Sequence, residues 1–306
     1  MPETEVSAAD EVSGEYGNPD PEWIRIDWSS HLRSVRVRAT DVRYVDLGSN
    51  AEGEVPLVLV HGLSGAWQNW LETIPHFSRT HRVVALDLPG FGESPMPSGW
   101  ELTIPEYGRL LGAFCDELGI EHCVLAGNSM GGFITAEVAI SDPDRVERLV
   151  LVSAAGISHA RMMRAPATSM ARVAAAAAPY AFHWRERALT RPGLRHYALR
   201  GVFYKPNGLR PELLWENLHA GLNAPGMLDA VGGLVGYDFT VRLPEIEVPT
   251  LIVWGRQDHV VPPVDGVEFE RLIPNSRRVV FDRCGHVPQL EQPARFNALL
   301  EEFLRE

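Results

Sequence analysis

The sequence predicts an α/β fold with a mostly parallel sheet. Two observations lead to this class: short, wholly apolar runs recur along the chain, and helical patterns with apolar residues every three or four positions separate them. Strands without polar alternation are buried on both faces, which is typical of a parallel sheet covered by helices on both sides. The 306 residues are enough for one large domain, or for one domain with an inserted subdomain.

The predicted strands fall into two groups. Residues 32–39 and 42–47 alternate apolar and polar side chains, as half-exposed strands do. The apolar runs that follow each stop at or just before a Gly, Asp, His or Ser, and chemistry in open α/β sheets lies beyond such carboxyl ends. These runs are Leu57–Val60, Val83–Leu86, Val124–Ala126, Leu149–Val152, Leu251–Val253 and Val279–Phe281. The helical patterns between them are Trp67–Phe77, Ile104–Leu118, Phe133–Ile140, Val264–Leu272 and Arg295–Leu304.

One stretch breaks the alternation of strand and helix. Residues 157–240 contain no convincing strand, and an insertion of this length is too long for an ordinary crossover. We expect an inserted helical cap there, over a core of residues 23–156 and 241–306; additional core helices are the alternative. Its helix-like segments are Ala160–Ala178, Trp184–Leu189, Leu194–Phe203, Pro211–Leu222 and Met227–Val235.

Charge and composition exclude several kinds of partner. The net charge of −12 argues against nucleic acid, and residues 1–22, with seven acids and no Lys or Arg, predict a disordered acidic tail. No apolar run is long enough to insert stably in a membrane, and no signal peptide is visible. The three cysteines lack metal-ligand spacing, so we expect a cytoplasmic protein without metal or cofactor. The oligomeric state cannot be read from the sequence.

The candidate nucleophile is Ser129 in Gly127-Asn128-Ser129-Met130-Gly131. This G-x-S-x-G follows a buried strand and opens a helix, which is the context that gives the pattern its meaning. A serine at such a turn is held in a strained backbone conformation, and glycine is needed two residues to either side because a Cβ does not fit.

A serine hydroxyl needs a base, and the base needs an orienting acid. His286 lies just after the last apolar strand, on the same sheet edge as Ser129, and is the predicted base. Asp258 follows the preceding strand and is the predicted acid. The other strand end where an acid is usual reads Ser153-Ala154-Ala155-Gly156 and has no carboxylate, and Asp282 is interpreted as structural.

Acyl transfer also needs donors for the developing oxyanion. The amide of Met130, directly after the nucleophile, is one predicted donor. The amide of Leu63, in the loop after Leu57–Val60, is the other, and Gly62 lets this loop turn back toward the substrate.

Together these motifs resemble the α/β-hydrolase superfamily, over about residues 31–306. The matching elements occur in the order of that superfamily: His61-Gly62, Asp87–Ser94, Gly127–Gly132, Gly255–Asp258 and Gly285-His286. The resemblance implies a mostly parallel eight-stranded sheet with the cap inserted after the sixth strand, and a structural turn at Asp87–Ser94. It also excludes haloalkane dehalogenases and epoxide hydrolases, which carry Asp where this chain has Ser129.

Within the superfamily, we predict a carboxylesterase that forms an acyl-enzyme on Ser129 from small-molecule esters with small to medium acyl chains. The alternative is a C–C hydrolase of the meta-cleavage-product type, which Trp67–Trp70 and Gly127–Gly132 resemble. Two departures disfavour it: Ser64-Gly65 replaces the usual Gly-Pro-Gly, and Val287 replaces the usual Trp. Gly62, Trp67 and Val287 are the predicted pocket residues. A ligand receptor and an interfacial lipase on this fold are alternatives from other classes.

Overall fold

A computed structural model of the chain describes residues 16–51, 54–97, 99–160, 189–220 and 224–306. Eight strands form one sheet in the spatial order β1-β2-β4-β3-β5-β6-β7-β8. The strands are β1 Leu32–Val37, β2 Thr40–Leu47, β3 Leu57–Val60, β4 Val83–Leu86, β5 Cys123–Asn128, β6 Val146–Val152, β7 Thr250–Gly255 and β8 Ser276–Phe281. Strand β2 runs antiparallel to both its neighbours and all other pairs are parallel, so the predicted fold class is confirmed.

Helices cover the sheet on both faces, and alternate residues of β3 show the two sides. Val58 and Val60 belong to the apolar cluster that contains Phe114 and Phe133, while Leu57 and Leu59 belong to the cluster that contains Trp70 and Phe296. The α-helices are α1 Ile74–Phe77, α2 Ile104–Glu117, α3 Met130–Ser141, α4 Ile157–Ala160, α5 Pro192–Leu199, α6 Pro211–Ala220, α7 Met227–Leu234, α8 Pro263–Leu272, α9 Pro288–Glu291 and α10 Pro293–Arg305.

The helix predicted over Trp67–Phe77 is not continuous. A 3-10 turn spans Trp67–Trp70, and α1 begins only at Ile74. Pro75 explains the break, because its ring fits only the first turn of a helix and it has no amide to donate. The interruption places the Trp67–Trp70 turn next to the loop that follows β3.

The end of the acidic segment is folded, which corrects our expectation of disorder over residues 1–22. Tyr16 donates a hydrogen bond to Glu291 at 2.7 Å, and Asn18 donates one to Glu72 at 2.8 Å. A 3-10 turn then runs over Glu22–Arg25 and buries Trp23. The composition predicted disorder because it gives no sign of the two buried carboxylates, Glu291 and Glu72, that accept these hydrogen bonds from distant parts of the chain. Residues 1–15 lie outside the described residues.

The described part of residues 157–240 is helical, and buried carboxylates of the core hold both of its ends. At the entry, the amide and hydroxyl of Ser158 donate to Asp265 in α8, the amide at 3.0 Å. At the exit, Tyr237 and Arg242 donate to Glu137 in α3 at 2.8 and 3.2 Å. The predicted segments Ala160–Ala178, beyond its first residue, and Trp184–Leu189, before its last, lie outside the described residues. The boundaries of the cap stay a prediction.

Membrane insertion was not expected from the sequence. In the portion of the chain that the structure describes, no helix combines the length and the apolar character needed to span a bilayer.

Candidate active site

Ser129 lies at the sharp turn between β5 and α3. Its φ of 56° and ψ of −118° are strained for a residue with a side chain, and its amide donates to Val152 at 2.9 Å. A Cβ on Gly127 would lie 2.3 Å from the carbonyl oxygen of Gly131, and one on Gly131 would lie 2.3 Å from that of Val60. The turn therefore requires glycine at both positions, as the sequence pattern predicts, and presents Ser129 at the carboxyl edge of the sheet.

His286 and Asp258 meet at the same edge. Asp258 follows β7, His286 follows β8, and Nδ1 of His286 lies 2.8 Å from Oδ2 of Asp258. The second carboxylate oxygen of Asp258 accepts the amides of Val260 and Val261 at 2.8 and 3.0 Å, which fixes the carboxyl plane. The imidazole therefore carries its proton on Nδ1, and Nε2 is left to accept a proton.

Asp282, the acid that lies nearer to His286 in sequence, faces elsewhere. It forms an exposed ion pair with Arg256. The structure thus pairs His286 with the sequence-predicted acid and leaves the neighbouring acid at the surface.

Asn128 connects the serine turn to the histidine loop, a link that the sequence analysis missed. Its amide nitrogen donates to the carbonyl of Val152 at 3.1 Å and to the carbonyl of His286 at 3.3 Å. The residue stands at the variable position of the G-x-S-x-G pattern, so the pattern carries no signal for it. The bond fixes the backbone of His286 relative to the strand that bears Ser129.

The amide of the predicted donor Met130 directly follows Ser129, and the loop that carries the other predicted donor, Leu63, approaches Ser129 at Gly62. Met130 is the first residue of α3, so its amide has no acceptor within the helix. On the other side, a Cβ built on Gly62 would lie 3.0 Å from the Cβ of Ser129, which shows how closely the Gly62-Leu63 loop approaches the serine. The chemistry available here is the stabilisation of an oxyanion by two backbone donors, with Leu63 as the predicted second one.

The side chain of His61 connects this loop to the turn that begins at Asp87. Its Nδ1 lies 2.7 Å from the carbonyl oxygen of Gly62, and its Nε2 accepts the amide of Leu88 at 2.9 Å. These partners require a proton on Nδ1 and none on Nε2. Complete burial lowers the pKa of His61 from 6.5 to about 4, so the ring is neutral at pH 7.

Asp87 organises the turn that faces His61. Its carboxylate accepts the amides of Trp67 and Glu93 at 2.8 and 2.9 Å. Burial raises its pKa from 3.8 to about 6, although the two amides oppose that shift. Both of these donors are backbone amides, one in the Asp87–Ser94 turn and one at the start of the Trp67–Trp70 turn, in keeping with the structural role that the family resemblance implies.

The three predicted pocket residues are all buried. Gly62 lies so close to Ser129 that an added Cβ would crowd it, as described. Val287 is buried directly after His286, and its amide donates to Glu291 at 3.3 Å. Trp67 is also buried, with its ring centroid 4.9 Å from that of Trp28. The substrate contacts of all three stay a prediction.

Residues of the predicted cap touch the loops that bear the predicted catalytic residues. The amide of His286 donates to the carbonyl of Val202 at 2.8 Å, and Asn69 donates to Asn217 in α6 at 2.8 Å. The amide of Gly62 in turn donates to Asn69 at 3.3 Å. The helical segment is therefore in direct contact with both sides of the candidate site. Among the described residues, no group of three or more His, Cys, Asp or Glu side chains is placed to hold a metal ion.

The fold and this set of side chains at one sheet edge define a hydrolase. The chain belongs to the α/β-hydrolase family, since the family model described as the alpha/beta hydrolase fold matches residues 55–293. It is 32% identical over 268 residues to 2-hydroxy-6-oxo-2,4-heptadienoate hydrolase of Pseudomonas putida, covering 81% of this chain and 88% of that protein.

Two further proteins show the range of similarity. A 2-hydroxy-6-oxononadienedioate/2-hydroxy-6-oxononatrienedioate hydrolase of Burkholderia vietnamiensis is 32% identical over 280 residues, covering 86% of this chain and 91% of that protein. Among solved structures, a thermophilic esterase from Thermogutta terrifontis superposes with a TM-score of 0.72 at 28% identity, covering 90% of this chain and 98% of that chain.

Proposed function

We propose that this protein hydrolyses a C–C bond in 2-hydroxy-6-oxo-dienoate compounds, through Ser129, His286 and Asp258. This was the alternative in the sequence analysis, and the relatives support it better than they support the esterase prediction. The observation that carries it is the extent of the similarity to the Burkholderia hydrolase, which covers 86% of the chain. Residues 157–240 make up more than a quarter of the chain, so the similarity includes much of the predicted cap.

The first half-reaction uses the geometry at Ser129. The free Nε2 of His286 takes the proton of the Ser129 hydroxyl as the oxygen attacks the C6 carbonyl carbon, and the amides of Leu63 and Met130 hold the resulting oxyanion. Asp258 stabilises the imidazolium through its 2.8 Å hydrogen bond. These steps are the same for an ester and for a ketone.

Only the leaving group differs between the two substrates. A carbon leaving group departs when its electron pair is delocalised. In a 2-hydroxy-6-oxo-dienoate, ketonisation first moves the C2 hydroxyl proton to C5. The C5–C6 bond then breaks with its electron pair delocalised onto the C2 oxygen, and the proton that His286 took from Ser129 neutralises this oxygen, which leaves His286 neutral again. Water, activated by His286, hydrolyses the acyl group that remains on Ser129.

A carboxylesterase acting on small to medium acyl chains is the second candidate. Val287 favours it, because meta-cleavage-product hydrolases usually carry Trp after the catalytic histidine, and the esterase of Thermogutta terrifontis is similar over 90% of the chain. With p-nitrophenyl acetate and 2-hydroxy-6-oxo-2,4-heptadienoate, both reactions pass through the same acetyl-enzyme. A comparison of these two compounds therefore isolates the departure of the leaving group.

The test is a comparison of kcat/KM for the heptadienoate and for p-nitrophenyl esters of acetate, butyrate and octanoate. We expect the dienoate to be the better substrate; a higher kcat/KM for any of the esters would assign the chain to the carboxylesterases. No turnover of either, with no acyl-enzyme burst, would favour the ligand-receptor alternative. Activation of ester hydrolysis by lipid interfaces would favour the lipase.

Two variants serve as controls. Ser129→Ala is the blank, since it removes the attacking oxygen. Ser153→Ala is its match, because Ser153 is also a buried serine at positive φ, directly after the neighbouring strand β6. We expect Ser153→Ala to keep its activity, which shows that the loss in Ser129→Ala comes from the nucleophile.

A further inference from the structure

Glu291 is a buried carboxylate with an unusual set of partners. It ends α9, five residues after His286, and is 0% exposed. Its Oε1 accepts the amides of Gly285 at 2.9 Å and Val287 at 3.3 Å. One carboxylate oxygen thus holds both neighbours of His286, the residue before it and the residue after it.

The other oxygen of Glu291 reaches different parts of the chain. Oε2 accepts the amide of Tyr204, in the predicted cap, at 2.8 Å and the hydroxyl of Tyr16 at 2.7 Å. The Tyr16 hydroxyl in turn accepts the amide of Lys205 at 2.8 Å, and the amide of Gly17 donates to the backbone carbonyl of Glu291 at 2.7 Å. The N-terminal segment and the predicted cap are therefore both hydrogen-bonded to the carboxylate that holds the histidine loop.

A buried carboxylate is costly unless donors surround it. Burial is the main cause that raises the pKa of Glu291, and four of its hydrogen bonds, from Tyr16, Tyr204, Gly285 and Val287, oppose that shift. All four partners donate and none accepts, so the site requires two acceptor oxygens. An amide at this position has only one and leaves two donors facing an NH₂ group.

Within the described residues, two hydrogen bonds hold the backbone of His286 itself: its amide donates to Val202, and Asn128 donates to its carbonyl. Val202 lies two residues before Tyr204, within the predicted cap. A shift of Glu291 therefore moves the loop on both sides of His286 and the cap residue that its amide contacts.

We propose that Glu291 is the positioning residue for His286 and that Tyr16, from the N-terminal segment, completes its site. One carboxylate then sets the position of the base and connects the histidine loop to the predicted cap and to the N-terminal segment that contains Tyr16. The proposal rests on the proposed function only in taking His286 as the base, and it holds for any substrate.

The test compares Glu291→Gln and Tyr16→Phe with matched controls. Glu72→Gln is the control for the first, because Glu72 is also a buried carboxylate that binds the N-terminal segment, through Asn18 and Trp23, without touching the His286 loop. Tyr237→Phe is the control for the second, since Tyr237 donates to the buried Glu137 at 2.8 Å.

Three readouts separate positioning from stability: the downfield NMR signal of the His286 Nδ1 proton, the rate at which a fluorophosphonate labels Ser129, and kcat against KM. In Glu291→Gln we expect the NMR signal to shift or broaden and the labelling rate and kcat to fall on the order of 10–100-fold, because small misplacements of a base are costly. Tyr16→Phe should change the same readouts in the same direction, by less.

The controls should lose thermal stability and keep the signal, the labelling rate and kcat. If Glu291→Gln keeps the wild-type signal and labelling rate, or if Glu72→Gln lowers them equally, the proposal is wrong. If Glu291→Gln does not fold, Tyr16→Phe alone decides by the same criteria. Fluorophosphonate labelling needs no substrate, so a wild type that labels but cleaves no dienoate contradicts the proposed function and leaves this test intact.

Discussion

Nε2 of His61 accepts a hydrogen bond from the amide of Leu88 at 2.9 Å, which joins the loop of the predicted oxyanion donor to the turn of Asp87. The pKa values of the two ionisable groups at this junction, His61 and Asp87, are shifted in opposite directions. Burial lowers the pKa of His61 to about 4 and raises the pKa of Asp87 to about 6. Their effects on stability oppose each other over the same range of pH.

Between pH 6.5 and 4, the unfolded chain protonates His61 while the folded one does not, so the free energy of unfolding falls as the pH falls. Between pH 6 and 3.8, folded Asp87 holds a proton that the unfolded chain lacks, so the free energy of unfolding rises as the pH falls. Each contribution amounts to about 3 kcal/mol over its full window. We expect the two to cancel largely in the wild type.

His61→Gln should reveal the cancellation, because glutamine keeps an acceptor for Leu88 and does not titrate. Urea unfolding at pH 7.5, 6.5, 5.5 and 4.5 gives the free energy of unfolding of the variant and of the wild type. The variant should be less stable than the wild type at pH 7.5 and should recover relative to it by about 2–3 kcal/mol at pH 4.5. All other titrating groups are common to both proteins. A difference that does not change with pH would contradict the assignment.

Gly62→Ala should impair catalysis more than folding. The added Cβ would lie 3.0 Å from the Cβ of Ser129 and 3.2 Å from the carbonyl oxygen of Asn128, so the loop of Gly62 and the predicted donor Leu63 must retreat. We expect kcat/KM to fall by roughly 100-fold, comparable to the loss of an oxyanion donor. Gly112→Ala is the control: Gly112 lies in α2, and a Cβ there would come no closer than 3.8 Å to its nearest neighbour, Oδ2 of Asp142, so the variant should gain about 0.5–1 kcal/mol of stability with unchanged kcat/KM. Equal activity in both variants would contradict the close approach at Gly62.

Asp258→Asn should invert the tautomer of His286. The amides of Val260 and Val261 hold the carbonyl oxygen of the new side chain, so its NH₂ group must face Nδ1. Nδ1 then becomes the acceptor, Nε2 carries the proton, and the base is lost. We expect kcat to fall on the order of 10⁴-fold with little change in KM.

Asp282→Asn is the matched change at the other acid near His286, which forms an exposed ion pair. Its kcat should equal that of the wild type. A large loss in Asp282→Asn, or a small one in Asp258→Asn, would reassign the orienting acid.

Asp265→Ala should loosen the entry to the predicted cap. It leaves the amide and hydroxyl of Ser158 without their acceptor inside the protein, at a cost of about 1–3 kcal/mol. Asp282→Ala removes an exposed pair and should cost about 0–1 kcal/mol. Urea unfolding of both variants checks the difference, and limited proteolysis shows whether cleavage begins within 157–240. A smaller loss in Asp265→Ala than in Asp282→Ala would exclude the anchoring role.

Much of the fold and of the site follows from local sequence. Strands such as Leu57–Val60 are apolar throughout because both faces are covered, and that pattern needs no partner to be recognised. Ser129, His286 and Asp258 each follow a strand, so the parallel order of the sheet brings them to one edge. The glycines beside Ser129 are signals of the same kind, because their requirement arises from the adjacent backbone.

The parts that the sequence did not reveal depend on contacts between distant segments. Glu291 stands in a short helix where an acid reads as a surface residue, and its donors come from Tyr16, Tyr204 and the histidine loop. Tyr16 lies in a stretch whose composition predicts disorder. Asn128 carries no pattern of its own. The contacts of Glu291 with Tyr16 and Tyr204, and of Asn128 with His286, join segments that lie far apart in the chain, so no periodicity or spacing encodes them.

All three cysteines are buried, and Cys284, two residues before His286, is completely enclosed. Burial, with Glu291 and Asp258 nearby, keeps the pKa of this thiol well above its ordinary value. A thiol reagent can therefore reach Cys284 only when the histidine loop opens. Its rate of alkylation in the native protein therefore measures that opening. Cys115 and Cys123, in α2 and β5, belong to the apolar cluster on the other face of the sheet, and their alkylation measures the opening of that face.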